Sequence, residues 1–176
     1  SYQGGFNFSK SNFDRVKHSF PQAGSSFKPF IYSAAIANGY KASDTINDAP
    51  IIFEDQNLES AWRPENYTGK FYGPIRLREA LVQSVNIVSI KLLRELGIDK
   101  AHTFLENFGF PKSRLAPDLS LALGSSSFSP AEMIRAYNFL ANSGEGKNLY
   151  FIEKIIDRDN NIIFQHPHAQ PELDDT

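Results

Sequence analysis

The spacing of apolar residues along the chain predicts a protein built mostly of helices. Apolar positions recur at helical intervals in several stretches, and glycine or an Asn-Gly pair follows most of them. The clearest start is Ser129-Pro130-Ala131-Glu132, where Ser129 can cap a helix, proline suits its first position and Glu132 completes a capping box. That helix is expected to end at Gly144. The other predicted helices span residues 12–19, 24–38, 75–83, 87–96 and 99–108.

Strand patterns are sparse and are confined to the ends of the chain. Residues 151–157 and 162–165 flank turn-forming residues at positions 158–161, and this pattern predicts a β-hairpin. Residues 40–73 show no periodicity and are expected to form a long irregular excursion. A flexible tail is expected over residues 166–176, because this segment is polar and contains two prolines. So little strand is unusual for a complete α+β domain.

Composition indicates one soluble globular domain and excludes several classes of function. The 176 residues are 41% hydrophobic and 22% charged, with a net charge of −2, so neither disorder nor binding to nucleic acid is expected. The absence of cysteine removes disulfides and thiolate chemistry. The four histidines show no metal-ligand spacing, so we expect no metal site. No apolar run is long enough to span a membrane, and any anchor is expected to lie outside these residues.

Ser25 and Lys28 form an S-x-x-K motif at the start of a predicted helix. A separation of three residues places both side chains on one helical face. The free N–H groups of a helix N-terminus favour negative charge developing on Ser25. Burial would lower the pKa of Lys28 and make it a plausible base for the serine. The motif alone is also compatible with a capping serine beside a solvated lysine.

Ser84 and Asn86 form a second motif, S-x-N, between two predicted helices. In that position, a hydroxyl can relay a proton and an amide can hold a substrate carbonyl. The same serine could instead cap the helix that starts at Ile87. S-x-x-K followed by S-x-N is the paired pattern of the penicillin-recognising serine enzymes.

The segments around these motifs resemble the transpeptidase domain of class A penicillin-binding proteins, most closely the 1A-type branch of Gram-negative bacteria. The likeness extends from about residue 4 to residue 163. The matching stretches, in order, are Gln22–Phe30, Asn47–Ile51, Trp62–Tyr67, Gly73–Arg78, Leu121–Ser125 and Ser129–Pro130. The resemblance implies the α+β penicillin-binding fold, here as a helix-dominated partial domain over residues 1–176.

The resemblance implies a penicillin-sensitive D,D-transpeptidase that crosslinks peptidoglycan stem peptides through an acyl-serine intermediate. Ser25 would be the nucleophile, Lys28 its base, Ser84 the proton shuttle and Asn86 a substrate-amide ligand. The backbone N–H of Ser25 would supply half of an oxyanion hole. β-Lactams would acylate the same serine, and no cofactor is needed.

Three further residues are expected to contact the substrate: Ser26, Trp62 and Tyr67. Trp62 and Tyr67 lie in the long irregular stretch. Their rings could line a substrate groove or could equally pack the loop onto the domain. The sequence does not decide between these two roles.

One motif of the family has no counterpart here. The family's K-[TS]-G strand is absent, so we expect most of the central antiparallel sheet to lie outside this chain and the isolated chain to be weak or inactive. The C-terminal part of the same domain is then an expected partner. The parent protein is expected to be periplasmic, anchored in the inner membrane, and to act also as a glycosyltransferase on a lipid-linked precursor.

Two other readings remain open at this point. In the first, the acyl-serine ends in water, as in a D,D-carboxypeptidase or a β-lactamase, and sustained hydrolysis of a chromogenic cephalosporin would identify it. In the second, the chain is a helical subdomain without chemistry of its own. Self-association or dye binding would favour that reading, and covalent binding of penicillin by a stable monomer would oppose it.

Overall fold

Helices dominate the structure, a computed structural model that describes residues 2–52, 62–146 and 149–167. The helices in those ranges are α1 (Arg15–His18), α2 (Lys28–Ala37), α3 (Leu77–Val82), α4 (Asn86–Leu96), α5 (Ile98–Glu106) and α6 (Pro130–Ala141). The strands there are β1 (Thr45–Asp48), β2 (Gly73–Arg76), β3 (Lys154–Ile156) and β4 (Ile162–Gln165). Each predicted helix is confirmed with shifted ends, and the first is the most shortened.

Helix α4 lies at the centre of the molecule. It contacts α2, α3, α5 and β1, so neighbours surround most of its circumference. A helix that is apolar on nearly every side must be buried in this way. The fully buried side chains of α4 are Ile87, Val88, Ser89, Ile90, Leu92 and Leu93. The N-terminal end of this helix carries the S-x-N motif, so the core itself fixes where that motif lies.

A cluster of phenylalanines forms the second anchor of the core. Phe27, Phe30, Phe110 and Phe128 are all buried. The ring centroids of Phe27 and Phe110 are 5.1 Å apart, and those of Phe110 and Phe128 are 4.6 Å apart. Such aromatic pairs add about 0.5–1.5 kcal/mol beyond the burial of their area. Because Phe27 lies between Ser25 and Lys28 in the chain, this cluster holds the S-x-x-K segment.

The prediction of an irregular stretch over residues 40–73 is wrong at its two ends. Strand β1 pairs antiparallel with β2, with Ile46 opposite Ile75 and Asp48 opposite Gly73. Ile75 was expected in a helix, but α3 begins only after β2 ends. The alternation of β1 is regular in burial, yet one of its two buried positions is the charged Asp48. An apolar pattern therefore could not reveal this strand.

The predicted capping box of α6 is confirmed. The Ser129 hydroxyl accepts from the Glu132 N–H at 3.3 Å, and the Glu132 carboxylate accepts from the Ser129 N–H at 2.8 Å. Glu132 also pairs with Arg114. The start of α6 is thus fixed to the segment before it.

The predicted C-terminal hairpin is confirmed, with shorter strands than expected. Strands β3 and β4 pair antiparallel, and Ile155 lies opposite Phe164. The predicted tail falls mainly on residues 168–176, which lie outside the described residues. His166 is described, and its N–H donates to the Glu153 carbonyl at 2.8 Å. Within the described ranges, none of the helices has the length and apolar character needed to cross a membrane.

Candidate active site

Backbone hydrogen bonds hold the segment just before Ser25 in place. The Ala23 N–H donates to the Ser126 carbonyl at 3.0 Å, and the Gly24 N–H donates to the Gly124 carbonyl at 2.9 Å. The two segments run antiparallel, so the chain enters the S-x-x-K turn along a fixed path. These hydrogen bonds bring the segment around Gly124 next to the segment that precedes Ser25, although about 100 residues separate the two in sequence.

Gly124 allows the two segments to approach closely. Its φ of +73° lies in the left-handed region, and a Cβ built on it would lie 2.0 Å from the Gly24 carbonyl oxygen. A side chain of any size would therefore collide with the backbone next to Ser25. Glycine is required here both by conformation and by space.

Ser25 lies in a short 3-10 turn over Gly24–Phe27 that leads directly into α2. The residue is exposed. Two contacts fix the turn. The Phe27 side chain is buried in the core, and the Tyr137 hydroxyl donates to the Ser26 carbonyl at 2.6 Å. A serine in this position can be reached by a ligand, while its backbone is held by the core.

Lys28 is almost completely buried, with 1% of its surface exposed. Its Nζ donates to the Ser84 carbonyl at 2.7 Å, to the Ser84 Oγ at 3.0 Å and to the Asn86 Oδ1 at 2.7 Å. All three acceptors are uncharged oxygens. Burial without a neighbouring anion disfavours the ammonium form, and it lowers the pKa of Lys28 to about 8. The alternative of a solvated lysine is therefore wrong.

Ser84 lies in the tight connection between α3 and α4, and Asn86 is the first residue of α4. Ser84 adopts a left-handed backbone conformation with φ of +54°, which is uncommon for a residue other than glycine. The N-cap residue of α4 is Val85, and neither its side chain nor that of Ser84 caps the helix, so the alternative of a capping Ser84 is also wrong. The strained turn instead directs both the carbonyl and the hydroxyl of Ser84 to Lys28.

A layer of polar residues lies behind Asn86. The Asn86 Nδ2 donates to the Glu65 carbonyl at 2.8 Å, and the Asn86 N–H donates to the Asn66 Oδ1 at 2.9 Å. The Asn66 amide in turn contacts the buried carboxylate of Asp48. Sequence reasoning did not single out Asn66 or Asp48 as site residues. The available signal was the resemblance to the family, because both residues lie in stretches that match it.

A groove of about 310 Å³ opens beside Ser25. Its lining combines hydroxyl, amide and aromatic groups, which suits a polar peptide-like ligand. The lining residues are Ser25, Asn66, Tyr67, Thr68, Tyr72, Gln83, Ser84, Val85 and Asn86. The structure thus brings Ser25, Ser84, Asn86 and Tyr67 together at one groove, and the buried Lys28 is bonded to two of these residues, Ser84 and Asn86.

Two residues that were predicted to contact the substrate, Trp62 and Ser26, do not line the groove. Trp62 packs against the hydrophobic core, as the packing alternative anticipated. The Ser26 hydroxyl donates to the Ala23 carbonyl at 2.5 Å within its own turn. A substrate contact by either residue stays a prediction. Tyr67 is fully exposed at the rim of the groove, where a ligand can reach its ring.

A model of the penicillin binding protein transpeptidase domain matches residues 7–174 of the chain. The chain belongs to this transpeptidase family. Among curated relatives, penicillin-binding protein 1A of Pseudomonas aeruginosa is 48% identical over 94% of this transpeptidase chain. Penicillin-binding protein 1A of Escherichia coli is 41% identical over 97% of it. The alignments cover 20% of each relative, so the chain spans about a fifth of their length.

Solved structures agree with this assignment. The crystal structure of penicillin-binding protein 1A from Haemophilus influenzae matches with a TM-score of 0.88 and 40% identity, over 93% of this transpeptidase chain and 24% of that one. Penicillin-binding protein A from M. tuberculosis, as an imipenem acyl-enzyme complex, matches with a TM-score of 0.75 and 20% identity over 93% and 42%. The second match supports the fold alone. The predicted 1A-type resemblance and the helix-rich penicillin-binding fold are confirmed.

Proposed function

We propose that the chain carries the acyl-transfer centre of a peptidoglycan D,D-transpeptidase, with Ser25 as its nucleophile. The observation that supports this most is the burial of Lys28, whose Nζ is held by both residues of the S-x-N motif. A lysine that only served solubility would extend into water. Here its Nζ is bonded to two residues that line the groove beside Ser25, which is one helical turn away in sequence.

Lys28 acts as the general base in this proposal. A base works best when its pKa lies near the operating pH, and burial lowers the pKa of Lys28 to about 8. A substantial neutral fraction is therefore present at physiological pH. The neutral amine can take the proton of Ser25 as the hydroxyl attacks a carbonyl carbon.

Ser84 has the chemistry needed to pass that proton on. The ammonium form of Lys28 has three N–H donors, and three oxygens accept them. The neutral amine has only two donors and one lone pair, so one of its partners must change role. A carbonyl and an amide oxygen can only accept, whereas the Ser84 hydroxyl can donate. Ser84 is thus the partner suited to shuttle a proton between Lys28 and a leaving amine.

The reaction then proceeds in two balanced steps. The Ser25 Oγ forms a bond to the penultimate D-Ala carbonyl carbon of a stem peptide, and the bond to the terminal D-Ala nitrogen breaks. Lys28 accepts the serine proton and passes it through Ser84 to the departing amine. In the second step, an amine of a neighbouring stem peptide attacks the ester, its proton passes through Ser84 to Lys28, and Lys28 returns a proton to Ser25 as the ester bond breaks. Asn86 binds the substrate amide, and the Ser25 N–H stabilises the oxyanion.

β-Lactams are proposed to follow the first step only. Ser25 opens their strained ring by breaking the amide C–N bond, and the amine stays attached to the acyl group. Because no separate leaving group departs, no room is made for an acceptor amine and the acyl group stays on the serine. The support is the similarity to penicillin-binding protein 1A over nearly the whole chain. The proposed chemistry requires only side chains and backbone groups, without a cofactor.

The proposal predicts a pH dependence of acylation. The rate constant for acylation by benzylpenicillin should rise about tenfold per pH unit and level off above a midpoint of about 8, where Lys28 is neutral. The measurement is stopped-flow or quenched labelling across the pH range. Asp44, a carboxylate outside the groove, supplies the matched control: Asp44→Asn should leave the midpoint unchanged. A pH-independent rate would contradict the role given to Lys28.

The wider setting is a proposal by similarity to the 1A relatives. A protein of this kind is expected in the periplasm, anchored in the inner membrane, with a glycosyltransferase activity that polymerises a lipid-linked precursor. Peptidoglycan stem peptides are then both donor and acceptor. The support is the identity to penicillin-binding protein 1A of two Gram-negative organisms.

The hairpin supports a second candidate, a subdomain that needs a further part of the transpeptidase domain for activity. Its apolar side chains are exposed rather than packed, notably Ile155, Ile156, Ile162, Ile163 and Phe164. Within the two strands themselves, Lys154 is the one charged residue of the kind that protects a free edge. We propose that this hairpin packs against that further part of the domain.

This candidate makes a prediction about the chain by itself. The 176-residue chain should bind a hydrophobic dye, and replacing Ile163 and Phe164 with threonine should abolish most of that binding. Val82→Thr serves as the control, because Val82 is also exposed but lies far from the hairpin in sequence. Equal dye binding by the hairpin variant would contradict the proposed packing surface.

A further inference from the structure

Asn66 provides the hydrogen bonds that the first turn of α4 lacks. The first N–H groups of a helix have no acceptor inside it, and here no side chain of the N-cap residue supplies one. The Asn66 Oδ1 accepts from the Asn86 N–H at 2.9 Å and from the Ile87 N–H at 3.2 Å. A residue 20 positions upstream therefore caps the helix that carries the S-x-N motif.

The other end of the Asn66 amide is anchored by acceptors. Its Nδ2 donates to the two carboxylate oxygens of Asp48 at 3.0 and 2.9 Å, and to the Lys70 carbonyl at 2.9 Å. Donors face one end of the amide and acceptors face the other, so only one orientation satisfies both. Asn66 is 6% exposed, and it cannot turn towards solvent without leaving these groups unsatisfied.

Asp48 makes this arrangement rigid. Its surface is 0% exposed, and its carboxylate also accepts from the Tyr72 N–H at 2.9 Å. A buried carboxylate is costly unless hydrogen bonds satisfy it. Charge-assisted hydrogen bonds are also stronger than neutral ones. Asp48 therefore fixes Asn66 more firmly than a neutral residue would.

The same segment also holds the Asn86 side chain. The Asn86 Nδ2 donates to the carbonyl of Glu65, the residue before Asn66, at 2.8 Å. This bond directs the Asn86 Oδ1 to the Lys28 Nζ, 2.7 Å away. Backbone and side chain of Asn86 are thus fixed by two consecutive residues of one segment.

We infer that Asn66, anchored by the Asp48 carboxylate, is a positioning residue that sets Asn86 against Lys28 for acylation of Ser25. The inference rests on the proposed function for its catalytic consequence. Its geometric part, the coupling of Asn66 to Lys28 through Asn86, stands without that function. A purely structural cap would stabilise α4 but would not act on Lys28.

The test separates these two roles by measuring the pKa of Lys28 directly. Chains labelled with ¹³C at the lysine ε-carbon are titrated by NMR in a double-mutant cycle of Asn66→Ala and Asn86→Ala. The Asn86 Oδ1 favours the ammonium form, so its loss should lower the pKa of Lys28. Asn66→Ala should lower that pKa as well, and it should add nothing in the Asn86→Ala background.

Ile46→Ala is the matched control for lost stability. Ile46 is buried on the same face of β1 as Asp48, but it belongs to an apolar cluster. Its truncation should destabilise the fold and leave the titration of Lys28 as in the wild-type chain. If the Asn66→Ala chain is destabilised as much as the Ile46→Ala control and the pKa of its Lys28 is unchanged, the inference is overturned.

A second variant keeps the test decisive if Asn66→Ala does not fold. Asn66→Asp places two carboxylates in contact, so this chain should lose the wild-type titration of Lys28. Adding Asp48→Asn restores a hydrogen-bond donor between positions 48 and 66. The swapped pair should recover much of the wild-type titration of Lys28. Failure of the swap to improve on Asn66→Asp would show that the contact between positions 48 and 66 is not what fixes Asn86.

Acylation by benzylpenicillin gives the catalytic readout. A displacement of about 1 Å in a reacting group can cost about 100-fold in rate, and we expect a loss of that order for Asn66→Ala. The Ile46→Ala control should lose far less. If wild type forms no acyl-serine either as the 176-residue chain or as the protein that its cell makes, the proposed function fails, while the titration still decides the positioning role. A loss in Asn66→Ala no greater than in the control would overturn the catalytic part.

Discussion

Replacing Lys28 with methionine is expected to slow acylation of Ser25 by benzylpenicillin by about 1000-fold, within the range that a general base contributes. Methionine fills a similar volume but provides neither a basic nitrogen nor an N–H donor. The Ser25 proton then has no base to accept it. The loss should appear in the rate constant for acylation, measured by quenched labelling and intact mass, while the far-ultraviolet circular dichroism stays that of a folded chain.

Lys91→Met is the matched control for this substitution. Lys91 is half-buried on α4, and its Nζ also donates to backbone carbonyls, those of Asn47 at 2.7 Å and Ala49 at 3.3 Å. The two variants therefore lose similar hydrogen bonds, but only Lys28 lies beside the S-x-N motif. A Lys28→Met chain that is acylated as fast as Lys91→Met would contradict the assignment of the base.

Replacing Gly124 with alanine should reduce acylation by about 100-fold or more, although Gly124 contacts no substrate in the proposed reaction. The added Cβ would lie 2.0 Å from the Gly24 carbonyl oxygen. Non-bonded heavy atoms are normally separated by about 3.5 Å. The backbone beside Ser25 must therefore move by more than an ångström. Misplacement of the nucleophile accounts for the loss.

Gly97→Ala isolates the effect of the collision. Gly97 also has a positive φ, +89°, but a Cβ built there meets nothing within 4 Å. Both variants force alanine to a positive φ, Gly124 in the left-handed region with ψ of 41° and Gly97 outside it with ψ of 138°, and thermal unfolding measures the cost of each. Only Gly124→Ala should also lose the acylation rate. Equal rates in the two variants would mean that the contact with Gly24 does not position Ser25.

The helices could be predicted from the sequence because apolar spacing and end signals agree there. The start of α6 is an example, since Ser129, Pro130 and Glu132 all indicate the same boundary. The S-x-x-K and S-x-N motifs could also be recognised, because their chemistry depends on short spacings. Their juxtaposition in space followed only from the resemblance to a known family.

Other features depend on contacts between distant residues and could not be predicted. Strand β1 places a charged Asp48 at a buried position, where the Asn66 amide and the Tyr72 N–H make burial tolerable. The left-handed Ser84 is not visible in any local pattern, because serine gives no sign of a positive φ. The role of Gly124 requires knowledge of its approach to Gly24. Each of these features results from long-range packing.

The most direct measurement of the central claim is peptide mapping by mass spectrometry after incubation with benzylpenicillin. It is made on the 176-residue chain and on the protein as its cell makes it, each beside a Ser25→Ala variant and a Ser26→Ala control. The account predicts an acyl adduct on Ser25 that survives in Ser26→Ala and is absent from Ser25→Ala. An adduct retained in Ser25→Ala, or no adduct on either form of the wild-type protein, would contradict it.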